Sequence, residues 1–230
     1  VYDLVNAGPD KRFTIMTEAG PAVVHNSGFQ GGVGAWKRFG ADRLGWDDDA
    51  IQEKVDAWRN QHRRIVALWK GLETAALSAV AEPGRVFSYR DIAYAVSGRW
   101  LRCRLPSGRT IHYYNPQLAT GKFGQPTFSF EANKQLMGGG RAWRTIPAYG
   151  GLLTENVVQA VARDLMVHAA FAVEAEGWPV VLTVHDELVC EVSIDKADYK
   201  VLEHVMSQTP TWAAGWPITA EAWAGRRYRK

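Results

Sequence analysis

Cysteine is scarce in this chain: Cys103 and Cys190 are the two among 230 residues. Two thiols so far apart exclude a disulfide framework and point to a reducing cytoplasm. Long apolar runs are missing too. No stretch reaches the roughly 18 residues of a membrane-spanning helix and no signal peptide is recognisable, so no membrane partner is expected. Internal repeats and low-complexity tracts are absent. Strong charge of one sign is also lacking. Twenty-seven basic against 24 acidic side chains leave a net +3, too small to mark a nucleic-acid binder unaided. The excess is unevenly placed, however. Residues 1–26 hold Lys11 and Arg12 against Asp3, Asp10 and Glu18, so the positive charge lies downstream. It gathers at Arg59 with His62, Arg63 and Arg64, at Arg99 to Arg104, and at Arg226 to Lys230, patches that suit a phosphate backbone. With 47% hydrophobic residues the chain has enough apolar material for an ordinary core.

What is present centres on Val184-His185-Asp186-Glu187-Leu188. Val180, Val181 and Leu182 lead in, and Leu188, Val189, Cys190 and Val192 lead out, so β-branched and apolar arms bracket a charged tip. A core strand would not carry that charge without partners. Carboxylates on a rigid turn are what a hard cation such as Mg²⁺ needs, and a paired-metal site acting on phosphate is one use. An ordinary exposed hairpin tip has the same makeup. What precedes it adds weight. Tyr149-Gly150-Gly151 runs into a patterned helix ending near Gly177, with Thr154 expected as N-cap and Glu155 in the first turn. Val158, Val161, Leu165, Ala169 and Ala172 mark its buried side. Asn156, Gln159 and Arg163 fall at i, i+3 and i+7 on another stripe. Amide and guanidinium groups are suited to minor-groove acceptors and phosphates.

Six segments in order now resemble the carboxyl-terminal part of family A DNA polymerases, the DNA polymerase I type, in their bacteriophage branch. They are GFQGGVGAW from Gly28, WRNQHRRIVALW from Trp58, LPSGR from Leu105, YGGLLTENVVQAVARD from Tyr149, VHDELV from Val184, and the terminal AEAWAGRRYRK. The resemblance spans essentially residues 27–230. It implies that Asp186 is a catalytic, Mg²⁺-binding aspartate of the palm, with Glu187 in support and His185 near the primer terminus. It also implies that Asn156 and Gln159 contact primer-template DNA, and Arg163, on the same stripe, is expected to join them. Phe29 stands where the family usually has Tyr, which keeps stacking on the template base and loses a phenol hydroxyl. Deoxynucleoside triphosphates would be the substrates.

The first catalytic aspartate of that family, in a D-x-S-x-I-E strand, and the basic helix that grips the incoming nucleotide are not found. Asp47-Asp48-Asp49 reads instead as the acidic start of an exposed helix. A two-ion site spaced roughly 3.5–4 Å apart draws carboxylates from two places. This chain supplies one, so alone it is expected not to polymerise DNA.

The opening residues fit that gap. Val1 to Val5 and Arg12 to Met16 read as short β segments around a Gly8-Pro9-Asp10 turn, and Glu18 to Pro21 turns into Val23-Val24-His25-Asn26-Ser27. The run resembles the end of an intein. An Asn amide can attack its own carbonyl carbon and cut the chain as a succinimide forms, while the neighbouring imidazole serves as acid or base. Ser27 is the hydroxyl that accepts the upstream polypeptide as an ester, later rearranged to an amide. Asp3 matches the acidic position of such segments, and Lys11 stands near where many carry a second His. Without amino-terminal intein blocks, the expectation is a split intein fragment, 1–26, fused to a polymerase part, 27–230, with an amino-terminal polymerase half as partner. A truncated record of one longer frame with a continuous intein is the alternative, and Val at position 1 suits either.

The expected class is α+β. A fingers-helix remnant is placed at 28–40, and a helix at about 48–80 with Ile51, Val55, Trp58, Ile65, Leu68, Trp69 and Leu72 giving its apolar spacing. Short strands follow over 84–118 with a Pro106-Ser107-Gly108 turn, then an irregular Gly-rich connection over 119–148 with a strand around 126–132. A helix at 154–177, a hairpin at 179–193 and a helix at 195–208 started by Asp195 and Asp198 complete the chain. The aromatic tail, Trp212, Trp216, Trp223 and Tyr228, is expected to pack. A metal-dependent hydrolase would need more His or Asp ligands at metal spacing, and a non-catalytic DNA-binding module would ignore Mg²⁺. Neither accounts for the intein-like tail.

Overall fold

Three aspartates start the first long helix of the structure, a computed structural model that describes residues 13–17, 20–24, 27–38, 40–121, 124–135 and 139–228. Segments 13–17 and 20–24, Ser27 and Gln135 are described by backbone alone. The chain is mixed α and β, and divides into two compact units, Val1–Val158 and Gln159–Lys230. β1 (Phe13–Thr17) and β2 (Gly20–Val24) pair antiparallel, Phe13 opposite Val24. Asp3, His25, Asn26 and the strand expected at Val1 to Val5 lie outside the described residues. The expected 28–40 helix is shorter. A 3-10 turn at Ser27–Phe29 and a left-handed Gln30 (φ 68°) precede α1 (Val33–Arg38), because the Gly31-Gly32 pair that follows is poor helix material.

Asp47 caps α2 (Asp48–Gln61), its carboxylate accepting from the Ala50 N–H at 2.8 Å, and Asp48 and Asp49 face the positive helix end. Trp36 of α1 is buried with Ala41, Ile51 and Val55. The single helix expected at 48–80 is two. At His62 (φ −108°, ψ 44°) the chain leaves helical geometry before α3 (Arg63–Ala81). The imidazole takes up the break: Nδ1 lies 2.8 Å from the Trp58 carbonyl oxygen and the ring stacks on Trp58 at 4.2 Å. Apolar spacing cannot reveal such a break, since it continues through it.

β3 (Val86–Tyr89), β4 (Ile92–Ser97), β5 (Trp100–Arg104), β6 (Thr110–Thr120), β7 (Pro126–Gln135) and β8 (Arg141–Pro147) form one antiparallel sheet in chain order. The irregular connection expected over 119–148 is thus two strands of that sheet. α3 packs across β3 to β7, and Leu72, Ala75, Ala76 and Ala79 are buried together with Leu101, Cys103, Tyr113, Phe128 and Phe130. Burying each of these larger side chains contributes about 1.5–3 kcal/mol.

Tyr94 and Cys103 are cross-strand partners in this core. Burial pushes the Cys103 thiol from 9.0 up to about 11, against a smaller opposing effect of the Tyr94 hydroxyl. The same desolvation raises Tyr94 and Tyr113. Unfolded, the thiol ionises near pH 9; folded, it stays neutral until the pH is about two units higher. Its contribution is therefore complete below the unfolded value and lost as pH climbs through the folded one, costing about 2.5 kcal/mol. Urea unfolding at about pH 8 and about pH 11 is expected to show a loss to which Tyr94 and Tyr113 also contribute, and Cys103→Val to recover the thiol's share of it. An unchanged loss in the variant would remove the thiol from the account.

α4 (Gly150–Ala175) crosses from the first unit into the second. It begins four residues before the expected N-cap, so Thr154 is not a cap. It sits inside the helix at 2% exposure, and Glu155 lies beyond the first turn. Of the expected buried positions, Val161 and Ala169 are buried, as are Leu153, Val157 and Val173, while Val158, Leu165 and Ala172 are half-buried. β9 (Val180–Val184) and β10 (Glu187–Cys190) make the hairpin. The helix expected at 195–208 is a 3-10 turn, Ile194–Lys196, followed by α5 (Tyr199–Met206). Asp198 caps α5 by accepting from the Lys200 N–H at 3.0 Å. Among the described residues no helix is long and apolar enough to cross a membrane.

Candidate functional site

In the first unit the start of α4 is held by residues distant in sequence. The first N–H groups of any helix lack intrahelical partners. Here the Gly150 N–H donates to Glu73 Oε2 at 3.2 Å and the Gly151 N–H to Gln30 Oε1 at 2.8 Å. The Glu73 carboxylate also faces the positive end of the helix dipole. Both glycines are required sterically. A Cβ on Gly150 would strike the Trp69 carbonyl, and one on Gly151 the Phe29 carbonyl. Trp69, itself buried, donates from Nε1 to the Gly28 carbonyl oxygen at 2.7 Å. The segment Gly28-Phe29-Gln30 is thereby clamped between α3 and α4, which fixes the half-buried Phe29. Farther along α4, Asn156 is half-buried and its Nδ2 donates to the Tyr113 hydroxyl on β6 at 3.1 Å. Burial holds that phenol above its usual range, an effect the Asn156 bond partly offsets. Gln159 and Arg163, the other members of the expected stripe, are exposed on α4.

In the second unit Val184 pairs with Glu187, which leaves His185-Asp186 as a two-residue turn. His185 has φ 53°, a left-handed conformation that His tolerates better than β-branched residues. His185 and Asp186 are exposed at the tip, and Glu187 is the half-buried first residue of β10. The register slips between Val189 and Cys190. Sequence reasoning missed Tyr228. Its hydroxyl donates to Glu187 Oε2 at 2.7 Å, and that bond raises the phenol's pKa. Two more bonds strap the tail to α5, from the Ala220 N–H to Ser207 Oγ and from the Ala222 N–H to Glu203 Oε1, each 3.0 Å. Trp212 and Trp216 pack edge to face, as an apolar tail should. The signal for Tyr228 lay in the terminal AEAWAGRRYRK segment.

Asp186, exposed on a fixed turn, suits one ligand of Mg²⁺, and Glu187 stands next to it. A hard cation takes six or more oxygens, and the described residues contain no group of three His, Cys, Asp or Glu arranged to hold a metal. Within the described strands the carboxylates are Glu131 and Glu187, and Glu131 already accepts from Asn115 Nδ2 at 2.6 Å. The residues present fit part of such a site, with further ligands required from elsewhere.

The chain is similar to a protein named DNA polymerase from Bacillus phage SP02, at 34% identity over 204 residues, covering 88% of this chain and 31% of the relative. It spans about a third of that polymerase's length. Identity at this level over so long a match marks a segment related to a phage DNA polymerase. No family profile and no solved structure matches the chain.

Proposed function

We propose that this chain is the carboxyl-terminal part of a template-directed DNA polymerase, half of a nucleotidyl-transfer centre, with an intein fragment at residues 1–26 that splices it in trans to the amino-terminal half. The observation that carries this reading is the β9–β10 hairpin. It presents Asp186 at an exposed tip, yet it is a sheet of two strands, and among the described residues no third strand joins it. Val181 and Leu182, at 56% and 47% exposure, leave β9 uncovered on both faces. An isolated two-stranded hairpin is marginal in water. A further strand bearing another carboxylate would complete both the sheet and the ligand set. The similarity to the phage polymerase supports the chemistry.

In this reading Asp186 binds Mg²⁺, Glu187 supports it under the hold of Tyr228, and His185 lies beside the primer terminus. Mg²⁺, when bound, polarises phosphoryl oxygens and neutralises developing charge. Asn156, held by Tyr113, takes primer-template DNA together with Gln159 and Arg163, and Phe29 stacks on the template base. At the junction, Ser27 accepts the upstream polypeptide, Asn26 cyclises, and His25 assists, with Asp3 in support.

Mixing the chain with a polypeptide that carries the complementary intein and polymerase halves tests both parts. Mass spectrometry is expected to show a ligated chain and a freed intein, and Asn26→Ala to trap the unreleased intein. Primer extension is expected from the mixture and not from either piece alone. Unchanged masses refute the splicing; extension by this chain alone refutes the division of the site.

A further inference from the structure

The sheet face turned away from α3 is both basic and aromatic. Between Val86 and Pro147 nine Lys or Arg side chains stand against Asp91 and Glu131, a balance of +7 in a chain whose total is +3. Alternation along β5 sends Leu101 and Cys103 to the core and Trp100, Arg102 and Arg104 to the outer face. Across the β5–β6 ladder Tyr114 lies opposite Trp100 and His112 opposite Arg102. The Trp100 and Tyr114 rings are 4.9 Å apart, those of Tyr114 and Trp143 5.4 Å, and the Arg99 guanidinium lies 4.9 Å from the Tyr114 ring centre. Three rings thus form a row across the sheet. Trp143 is 57% and Trp100 39% exposed. Glu131 is engaged by Asn115, and no ion pair among the described residues involves Arg99, Arg102 or Arg104.

Exposed rings among guanidinium groups without an ion-pair partner call for a partner with flat apolar faces and negative charge at short intervals. An acidic peptide satisfies the arginines and leaves the ring row unused. Duplex DNA offers phosphates while its base faces are already stacked. A single strand offers both. We propose that this face binds single-stranded nucleic acid, with bases stacked on Trp100, Tyr114 and Trp143 and phosphates held by Arg99, Arg102 and Arg104. The inference rests on the sheet alone and does not depend on the polymerase reading.

Fluorescence anisotropy of the full chain with a labelled oligothymidylate of about 20 residues, long enough for one such site, tests it. Trp143→Ala is expected to weaken binding by about 5- to 100-fold without changing its salt dependence, and Trp143→Phe to retain most of it. Replacing Arg102 and Arg104 together by Ser is expected to lower the slope of log affinity against log salt by about 1.4, two phosphates at roughly 0.7 each. All three side chains are exposed, and circular dichroism checks that each variant folds. Binding of a duplex of equal length that is as tight as the single strand and is weakened as much by Trp143→Ala overturns the proposal. So does equally effective competition by polyglutamate, which would mark a protein-binding face, or oligothymidylate binding indifferent to Trp143→Ala. Primer extension by the assembled enzyme alongside that indifference leaves the polymerase reading intact and removes this one.

Discussion

Replacing Asp186 by Ala in the ligated enzyme is expected to lower nucleotide incorporation by about 10³-fold or more while ligation proceeds unchanged. A metal ion on a transferring phosphoryl group contributes several kcal/mol to the transition state, and about 4 kcal/mol corresponds to three decades of rate. Asp186 is the exposed carboxylate of the β9–β10 turn, and its half-buried neighbour Glu187 is occupied by Tyr228. Glu187, so engaged, is therefore not expected to replace the lost carboxylate. Asp186 also points from a two-residue turn rather than from a packed core, so the variant is expected to fold and the loss to appear in kcat. Single-turnover primer extension measures the first part and mass spectrometry of the ligation mixture the second. Incorporation at the parental rate would end the assignment.

Gly151→Ala is expected to destabilise the first unit by about 3 kcal/mol or more, at the upper end of overpacking costs because the added methyl meets main chain, not a movable side chain. The Phe29 carbonyl has to retreat, and the Gln30 amide that satisfies the Gly151 N–H retreats with it. One substitution thus releases a helix start and displaces Phe29 together. Equilibrium urea unfolding reads the first effect. The second is expected as weaker primer-template binding in the ligated enzyme. Gln30→Ala separates them, since it removes one hydrogen bond at about 1 kcal/mol and introduces no clash. Equal losses from the two substitutions would show that the close approach at Gly151 carries no special weight.

How far the sequence reached depended on whether the deciding groups were neighbours along it. The helix start at Asp47 was legible because the cap and the N–H it serves lie within three residues, whereas the last helix, expected from 195, starts only after Asp198. The hairpin around His185 was legible for the same reason. The start of α4 was misplaced at Thr154 because its partners, Glu73 and Gln30, lie 77 and 121 residues away. No local pattern encodes them. β8 escaped notice because its residues are mostly exposed, with Ala142 and Ile146 half-buried, too weak an alternation to mark a strand. Within the candidate site, Asn156 was named from its place on the helix, whereas the Tyr113 hydroxyl that orients it belongs to a strand 43 residues earlier. An aromatic tail reads as packing, and the bond of Tyr228 to Glu187 needs a tail that doubles back over 41 residues.

The uncovered hairpin also carries a cost while the chain is alone. Open strand edges beside bare valine and leucine side chains drive like molecules together. If a partner strand completes β9 as proposed, another copy of this chain competes with it for the same edge. Raising the amount of this chain would then feed both processes, and the supply of the complementary fragment would set the yield of joined product.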